Sequence, residues 1–329
     1  VPPEGRSGAS GPLWFDGGMP APAPPPPRLV LADRPVDLSR TLVMGVVNAT
    51  PDSFSDAGLY PSAEARVDRA SELVAQGADV IDVGGESGIT GVPPVAAGEE
   101  IARVVPVIEG IVARHPDVVV SIDTYKPAVA DAALAAGARL VNDISGLRDP
   151  DLAGVAAAHR AGIVLMHNRA RPKERLNETI RYDDVVADVR GFLDRKVAVA
   201  LDRGVARDAI VVDPGPDFSK SPHQTVTLLR HLDRCVPPGF PILLAISRKD
   251  FIGALTATAP DDRLEGTLAA VGSVAAPGTI VRVHDVGAVR RYLAVHDALA
   301  GLVEVPEDLH LDPALRRTPT SQAANPPRP

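Results

Sequence analysis

Short apolar runs recur along the chain, and each stops at a residue able to hydrogen-bond or ionise. In the first half they are Thr41–Val47 into Asn48, Val80–Val83 around Asp82, Val118–Ile122 into Asp123, and Leu140–Val141 into Asn142. The second half repeats the pattern with Ile163–Met166 into His167, Ile210–Val212 into Asp213, and Ile242–Ile246 into Ser247-Arg248-Lys249. The last run, Thr279–Val283, carries Arg282 and leads into His284. Continuous apolar runs of this length suit parallel strands covered on both faces. Helical patterns fall between them, at 64–76, 95–114, 126–136, 150–161, 183–204, 222–234, 261–276 and 286–301. Three handovers share a form, an Ala-rich helix end and then Gly77, Gly137 or Gly162 before the next strand, and each glycine is expected to close its helix in the left-handed region.

Alternation of this kind predicts an α/β fold, and eight units favour a closed (β/α)8 TIM barrel over an open sheet. A doubly wound sheet is the alternative, but neither a G-x-G-x-x-G turn nor a G-x-x-x-x-G-K loop is present to support it. In a barrel, ligands gather at the carboxyl ends of the strands, so the polar run ends are expected to share one pocket.

Composition refines the boundaries. A barrel needs about 250 residues, and residues 39–303 of the 329 supply them. Residues 1–38, with Pro20-Ala-Pro-Ala-Pro-Pro-Pro-Pro27, are expected to form a disordered arm, and 304–329 a disordered tail. The net charge of −8 argues against broad nucleic-acid binding. No run approaches the ~18 apolar residues of a membrane span, and the basic-then-apolar pattern of a signal peptide is missing. The single cysteine, Cys235, cannot form an internal disulfide, which suggests a reducing, cytoplasmic setting. An enzyme or small-molecule binder is the expected class.

Asp123 and Asp213 each end an apolar strand, where a carboxylate must be solvated, paired or used as a helix cap. With Asn142 in the same ring they offer acceptors and an amide to a heterocycle bearing an amino-amide edge. Ser247-Arg248-Lys249-Asp250 and Arg282-Val283-His284 place cations on the last two units, a frequent phosphate position in barrels. The Asn48–Gly58 stretch is too polar and too rich in Gly and Pro to be a helix, so a long loop over the mouth is expected. No H-E-x-x-H or G-x-S-x-G motif is present, and Glu99-Glu100 and Asp183-Asp184 read as solvated helix starts.

Taken together, these residues resemble the dihydropteroate synthase family. The resemblance rests on Met44-Gly-Val-Val-Asn48-Ala-Thr-Pro-Asp-Ser-Phe-Ser-Asp56, Gly77-Ala-Asp-Val-Ile-Asp-Val-Gly-Gly-Glu-Ser87, Ser121-Ile-Asp-Thr124 and Val141-Asn-Asp-Ile144. It continues through Leu165-Met-His167, Asp213-Pro-Gly215, Ser247-Arg-Lys249, Arg263-Leu-Glu-Gly-Thr267 and Arg282-Val-His-Asp285, in the family's order. It implies a pterin-binding barrel, often a homodimer, that joins 6-hydroxymethyl-7,8-dihydropterin diphosphate to 4-aminobenzoate and releases diphosphate, with Mg2+. On that resemblance Asp123, Asn142, Ile144, Met166, Asp213, Phe218 and Lys249 hold the pterin, and Asp123 and Lys249 are the catalytic candidates. Asn48 would meet the magnesium and diphosphate, Arg282 and His284 the diphosphate, and Phe218, Arg248 and Asp250 the second substrate.

Three departures fall on the second-substrate side. The family's Gly-Glu-Ser-Thr-Arg-Pro-Gly loop reads Gly85-Glu86-Ser87-Gly88-Ile89-Thr90-Gly91 here. Asp250 replaces the Ser that usually follows Ser-Arg-Lys, and Gly215-Pro216-Asp217-Phe218-Ser219-Lys220 replaces Gly-Phe-Gly-Phe-Gly-Lys. One Arg is lost and two Asp gained, a formal change of three charges. A carboxylate ~4 Å from another costs about 1 kcal/mol in water and about 4 at an effective dielectric of 20. The expectation is therefore that the pterin and diphosphate side is kept and that a neutral or cationic amine suits the second side better. Asp250 capping the next helix or pairing with Arg248 is the plainer alternative. A paralogue that binds pterin diphosphate without synthase activity, or a folate-binding methyltransferase, are the competing functions.

Overall fold

The computed structural model describes residues 27–50, 62–87, 93–174, 181–312 and 315. The arm up to residue 26, the loop expected to cover the mouth from 51 onward, the Gly88–Gly91 departure and the last residues of the tail lie outside them. The first described segment departs from the expected arm. Leu29–Leu31 (β1) and Arg34–Val36 (β2) pair antiparallel, with Leu29 and Leu31 buried. Two leucines within a Pro-rich stretch suffice to seat it, because the barrel bottom needs an apolar plug.

The barrel strands are β3 (Leu42–Asn48), β4 (Val80–Gly84), β5 (Val119–Asp123), β6 (Leu140–Asp143), β7 (Gly162–Met166), β8 (Ile210–Asp213), β9 (Ile242–Ala245) and β10 (Thr279–Val283). They are all parallel and close in the order β10-β3-β4-β5-β6-β7-β8-β9. The helices outside are α1 (Ala63–Ala75), α2 (Ala97–Arg114), α3 (Pro127–Ala135), α4 (Asp151–Ala158), α5 (Val185–Asp202), α6 (Pro222–Arg230), α7 (Leu232–Cys235), α8 (Asp250–Thr256), α9 (Leu264–Val274) and α10 (Val286–Leu299). The segment expected as one helix over 222–234 breaks at His231. The short α8 after β9 was unforeseen, because the Ser-Arg-Lys-Asp run before it reads as loop.

Two apolar clusters explain why the strands look continuously hydrophobic. Val43, Val47, Ile81, Val83 and Ile122 face the helices, whereas Leu42, Met44, Val80, Leu140, Val164, Val211 and Ile280 fill the barrel, with Leu29, Leu31 and Leu38 below them. Alternate residues of one strand serve the two clusters. Toward the carboxyl ends the inward positions turn polar, as in Val80 then Asp82, Leu140 then Asn142, and Ile280 then Arg282.

Helix starts are set by local side chains. Asp184 accepts from the Val186 and Ala187 amides at 2.9 and 3.0 Å, and Ser221 with Gln224 forms a reciprocal capping box on α6. Gly77 and Gly137 take positive φ as expected, but before β7 it is Arg160 that does so. Gly162 serves close approach instead, since a Cβ there would meet a Leu31 methyl carbon at 2.3 Å. Glu100 also departs from the expected solvated helix start and is buried in the first turn of α2.

Candidate active site

The floor of the barrel mouth is one connected charge network. Arg282 on β10 donates from Nε to Asp82 Oδ2 on β4 at 2.7 Å and from Nη2 to Asp123 Oδ2 on β5 at 2.8 Å. Asn142 on β6 donates to the same Asp82 oxygen at 3.0 Å. The other Asp82 oxygen and the Ser121 hydroxyl, neighbours across β4 and β5, are buried with no hydrogen-bond partner. A single guanidinium therefore ties strands on both sides of β3, and the floor keeps polar valence that the barrel does not fill.

Burial dominates the electrostatics. It raises the Asp123 carboxyl to about 7, against the pull of Arg282 and with the help of Asp82 and Glu100. Burial also raises Asp213 to about 6, although the Gly215 amide donates to it at 2.7 Å and Lys249 lies nearby. Lys249 is held below the usual lysine range by burial, with Asp217 and Asp213 opposing.

Above the floor lies a cavity of about 400 Å3 lined by Asn48, Asp123, Ile144, Phe218, Arg248, Lys249, Asp250, Arg282 and His284, among others. Lys249 places its ammonium 4.1 Å from the Phe218 ring centre. His284 shares a 3.0 Å hydrogen bond between Nδ1 and Ser247 Oγ. Asn142, Met166 and Asp213 are expected in the same pocket but lie beneath its lining, nearly fully covered.

On the second-substrate side the two added carboxylates are already engaged. Asp217, at positive φ, accepts from the Phe251 amide at the start of α8 (3.1 Å) and from Thr225 Oγ1 on α6 (2.9 Å). Asp250 is largely exposed and pairs with Arg263 at 3.1 Å rather than with Arg248. Arg248 is forked onto Asp285 at 3.1 and 3.0 Å and reaches Asp261 at 3.2 Å. Asp250 is thus offset by a cation, whereas Asp217 is held by neutral donors and keeps its charge beside Lys249.

Two clusters have no counterpart among the expected site residues. Lys220 is fully buried behind Phe218, donating to His167 Nδ1 (2.9 Å), Gly215 O (2.8 Å) and Phe218 O (2.9 Å). Burial, against the pull of Asp213, lowers Lys220 to about 7; burial and Lys220 lower His167 to about 2, so the imidazole is neutral. Its Nδ1 accepts from Lys220, so Nε2 carries the proton donated to Asp188 at 3.1 Å.

The second cluster ties the rim together. Lys126 bridges Glu86, after β4, to the buried Glu100 on α2. Tyr125 donates to Glu86 at 3.1 Å, and Lys173 reaches the same carboxylate at 3.2 Å from the loop after β7. Glu100 was legible in principle, since it shares a helical face with the buried Val104, Val107, Ile108 and Ile111. Lys220 gave no such signal, because its position before the Ser221 cap looks like ordinary loop.

Residues 44–284 match the model of a family described as pterin binding enzyme. The chain is 43% identical over 275 residues to a dihydropteroate synthase of Bacillus subtilis, covering 82% of this chain and 93% of that one. It is equally 43% identical over 281 residues to a Mycobacterium leprae protein named inactive dihydropteroate synthase 2, covering 83% and 95%. Among solved structures, a Xanthomonas albilineans dihydropteroate synthase with 4-aminobenzoic acid aligns with a TM-score of 0.77 and 42% identity, over 85% of this chain and all of that one.

Proposed function

The chain belongs to the dihydropteroate synthase family of pterin-binding enzymes, and from that premise we propose that it condenses 6-hydroxymethyl-7,8-dihydropterin diphosphate with 4-aminobenzoate and releases diphosphate. The observation that carries the reading is the polar floor, where Asp82, Asp123, Asn142 and Arg282 are joined beside the buried Asp213 and Lys249. A methyltransferase has no use for a diphosphate corner built from Arg282 and His284.

In this reading the amino-amide edge of the pterin donates to Asp213, while Asn142 and Lys249 complete the recognition. Met166 closes the apolar side beneath the ring, with Ile144 and Phe218 at the cavity wall. Arg282 and His284 hold the diphosphate, and Arg282 exchanges part of its hold on Asp123 and Asp82 for the incoming anion. As diphosphate departs, positive charge grows on the pterin methylene, and Asp123, deprotonated and close to the ring, stabilises it electrostatically. The amine attacks that methylene along the Phe218 side, where Lys249 and Arg248 shape the approach.

No group of three His, Cys, Asp or Glu arranged to hold a metal occurs among the described residues. Asn48 would be the protein ligand of a magnesium ion held mainly by diphosphate oxygens. When bound, the ion supplies charge neutralisation of the leaving diphosphate. No described helix is long and apolar enough to cross a membrane; a homodimer in the cytoplasm completes the proposal.

The equal likeness to an inactive relative keeps one rival open, a pterin-diphosphate binder without turnover. Diphosphate release, followed with the pterin diphosphate, magnesium and 4-aminobenzoate and then with neutral and cationic arylamines, separates them. Turnover with 4-aminobenzoate is expected. Tight pterin-diphosphate binding without release from any amine would establish the rival.

A further inference from the structure

Residues 171–174 form a strap across the mouth. The Glu174 amide donates to the Arg171 carbonyl at 3.0 Å, and the Arg171 amide donates to the Glu174 carboxylate at 3.0 Å. Pro172 and a positive φ of 71° at Lys173 give the turn its sequence of conformations, as in a type II turn. A lysine in the left-handed region costs of order 1 kcal/mol, so something must hold it there. The anchor is its own side chain, which passes β5 and β6 to reach Glu86 and the Ser87 carbonyl after β4.

The strap delivers Arg171 to the cavity lining. Other cations there are engaged, Arg282 with Asp82 and Asp123, Arg248 with Asp285, Lys173 with Glu86, and Lys249 on the Phe218 ring. The guanidinium of Arg171 has no hydrogen bond or ion pair among the described residues; Glu174 takes its backbone amide instead. Arg171 reaches the cavity beside the loop that carries Phe218, since the amide of the neighbouring Ala170 donates to Ser219 Oγ at 3.1 Å. It shares the cavity with Phe218, on the side of the incoming amine.

We propose that Arg171 is a specificity-determining residue, the strap-borne cation that receives the carboxylate of the second substrate. The proposal rests on the synthase reading for the identity of that substrate. A guanidinium fork matches a carboxylate bidentately, and among the described residues no partner has to be displaced first. The chain thereby supplies, from the loop after β7, a cation that the Gly88-Ile89-Thr90 sequence of the second-strand loop lacks.

The test is calorimetric titration of 4-aminobenzoate, and in parallel neutral 4-aminobenzamide, into protein holding a pterin and inorganic diphosphate with magnesium. Arg171→Gln should weaken 4-aminobenzoate about fivefold, the scale of an exposed ion pair, and leave the amide within about twofold. Arg171→Lys should recover part of the loss. Because Arg171 is exposed, thermal stability should not move. Unchanged 4-aminobenzoate affinity, equal losses for both ligands, or no binding of 4-aminobenzoate to the unaltered protein would overturn the proposal. Intact, Arg171-dependent binding without diphosphate release would instead sink the synthase reading and leave this one standing.

Discussion

The floor of the barrel mouth and its rim both pair charges closely, yet the pairs serve different ends. On the floor, Arg282 is shared between Asp82 and Asp123, and all three come from strand residues whose positions the barrel register fixes. Burial leaves Asp123 and Asp213 reluctant to ionise, so an incoming ligand that offers donors to them and an anion to Arg282 supplies partners that the protein alone does not. At the rim, Glu86, Glu100, Lys126 and Lys173 come from loops and a helix start, and their charges hold those segments together. Floor charges are arranged for exchange with a substrate; rim charges are largely consumed in fixing the walls.

The sharpest way to break this contrast is to alter one residue of each kind. Asp123→Asn should fold normally but lose about 10²–10³ in kcat/KM for diphosphate release, because a preorganised charge beside the reacting methylene is gone. A loss under about tenfold would put the floor on the same footing as the rim.

Lys126→Met should do the opposite, leaving Glu86 and the buried Glu100 without their shared cation. Loss of one partner from a buried ion cluster costs about 3–5 kcal/mol, which thermal unfolding would show as a large fall in Tm. A change below about 1 kcal/mol would mean that the rim pairs are as weak as surface ones.

Acidity sharpens the contrast further. Asp213, raised from 3.8 to about 6, and Asp123, raised to about 7, hold protons more tightly in the folded protein than in the unfolded chain. The stability they contribute is complete below the unfolded value and is lost as pH rises through about 6 and about 7. Pterin binding runs the other way, since Asp213 accepts from two donors of the pterin edge at once only when ionised. Pterin titrations from about pH 8 down to about pH 5 should weaken below about 6, and Asp213→Asn should abolish that dependence.

The smallest effect is expected at Asp250. Its pair with Arg263 is exposed, so Asp250→Asn should change stability by less than about 1 kcal/mol and the KM for 4-aminobenzoate by less than about twofold. A marked fall in KM would restore the view that this acidic replacement repels an anionic amine.

What the sequence by itself determined is the barrel and the chemistry of its floor. A strand alternates its faces and a βα unit repeats, so the apolar runs located all the barrel strands and the polar floor at their carboxyl ends, except that His167 turns away to Asp188 and Phe192 on α5. Asp123, Asn142, Asp213, Arg282 and His284 were legible for that local reason. What only the tertiary structure decided is which charges meet. Nothing near Lys173 in sequence points to Glu86, and Lys220 looks solvated until the Gly215–Phe218 loop folds over it beside His167. Asp217 and Asp250 read as free carboxylates until α6, α8 and Arg263 supply their partners. Backbone periodicity is written in neighbouring residues, whereas an ion pair between loops is set by the closure of the ring that brings them together.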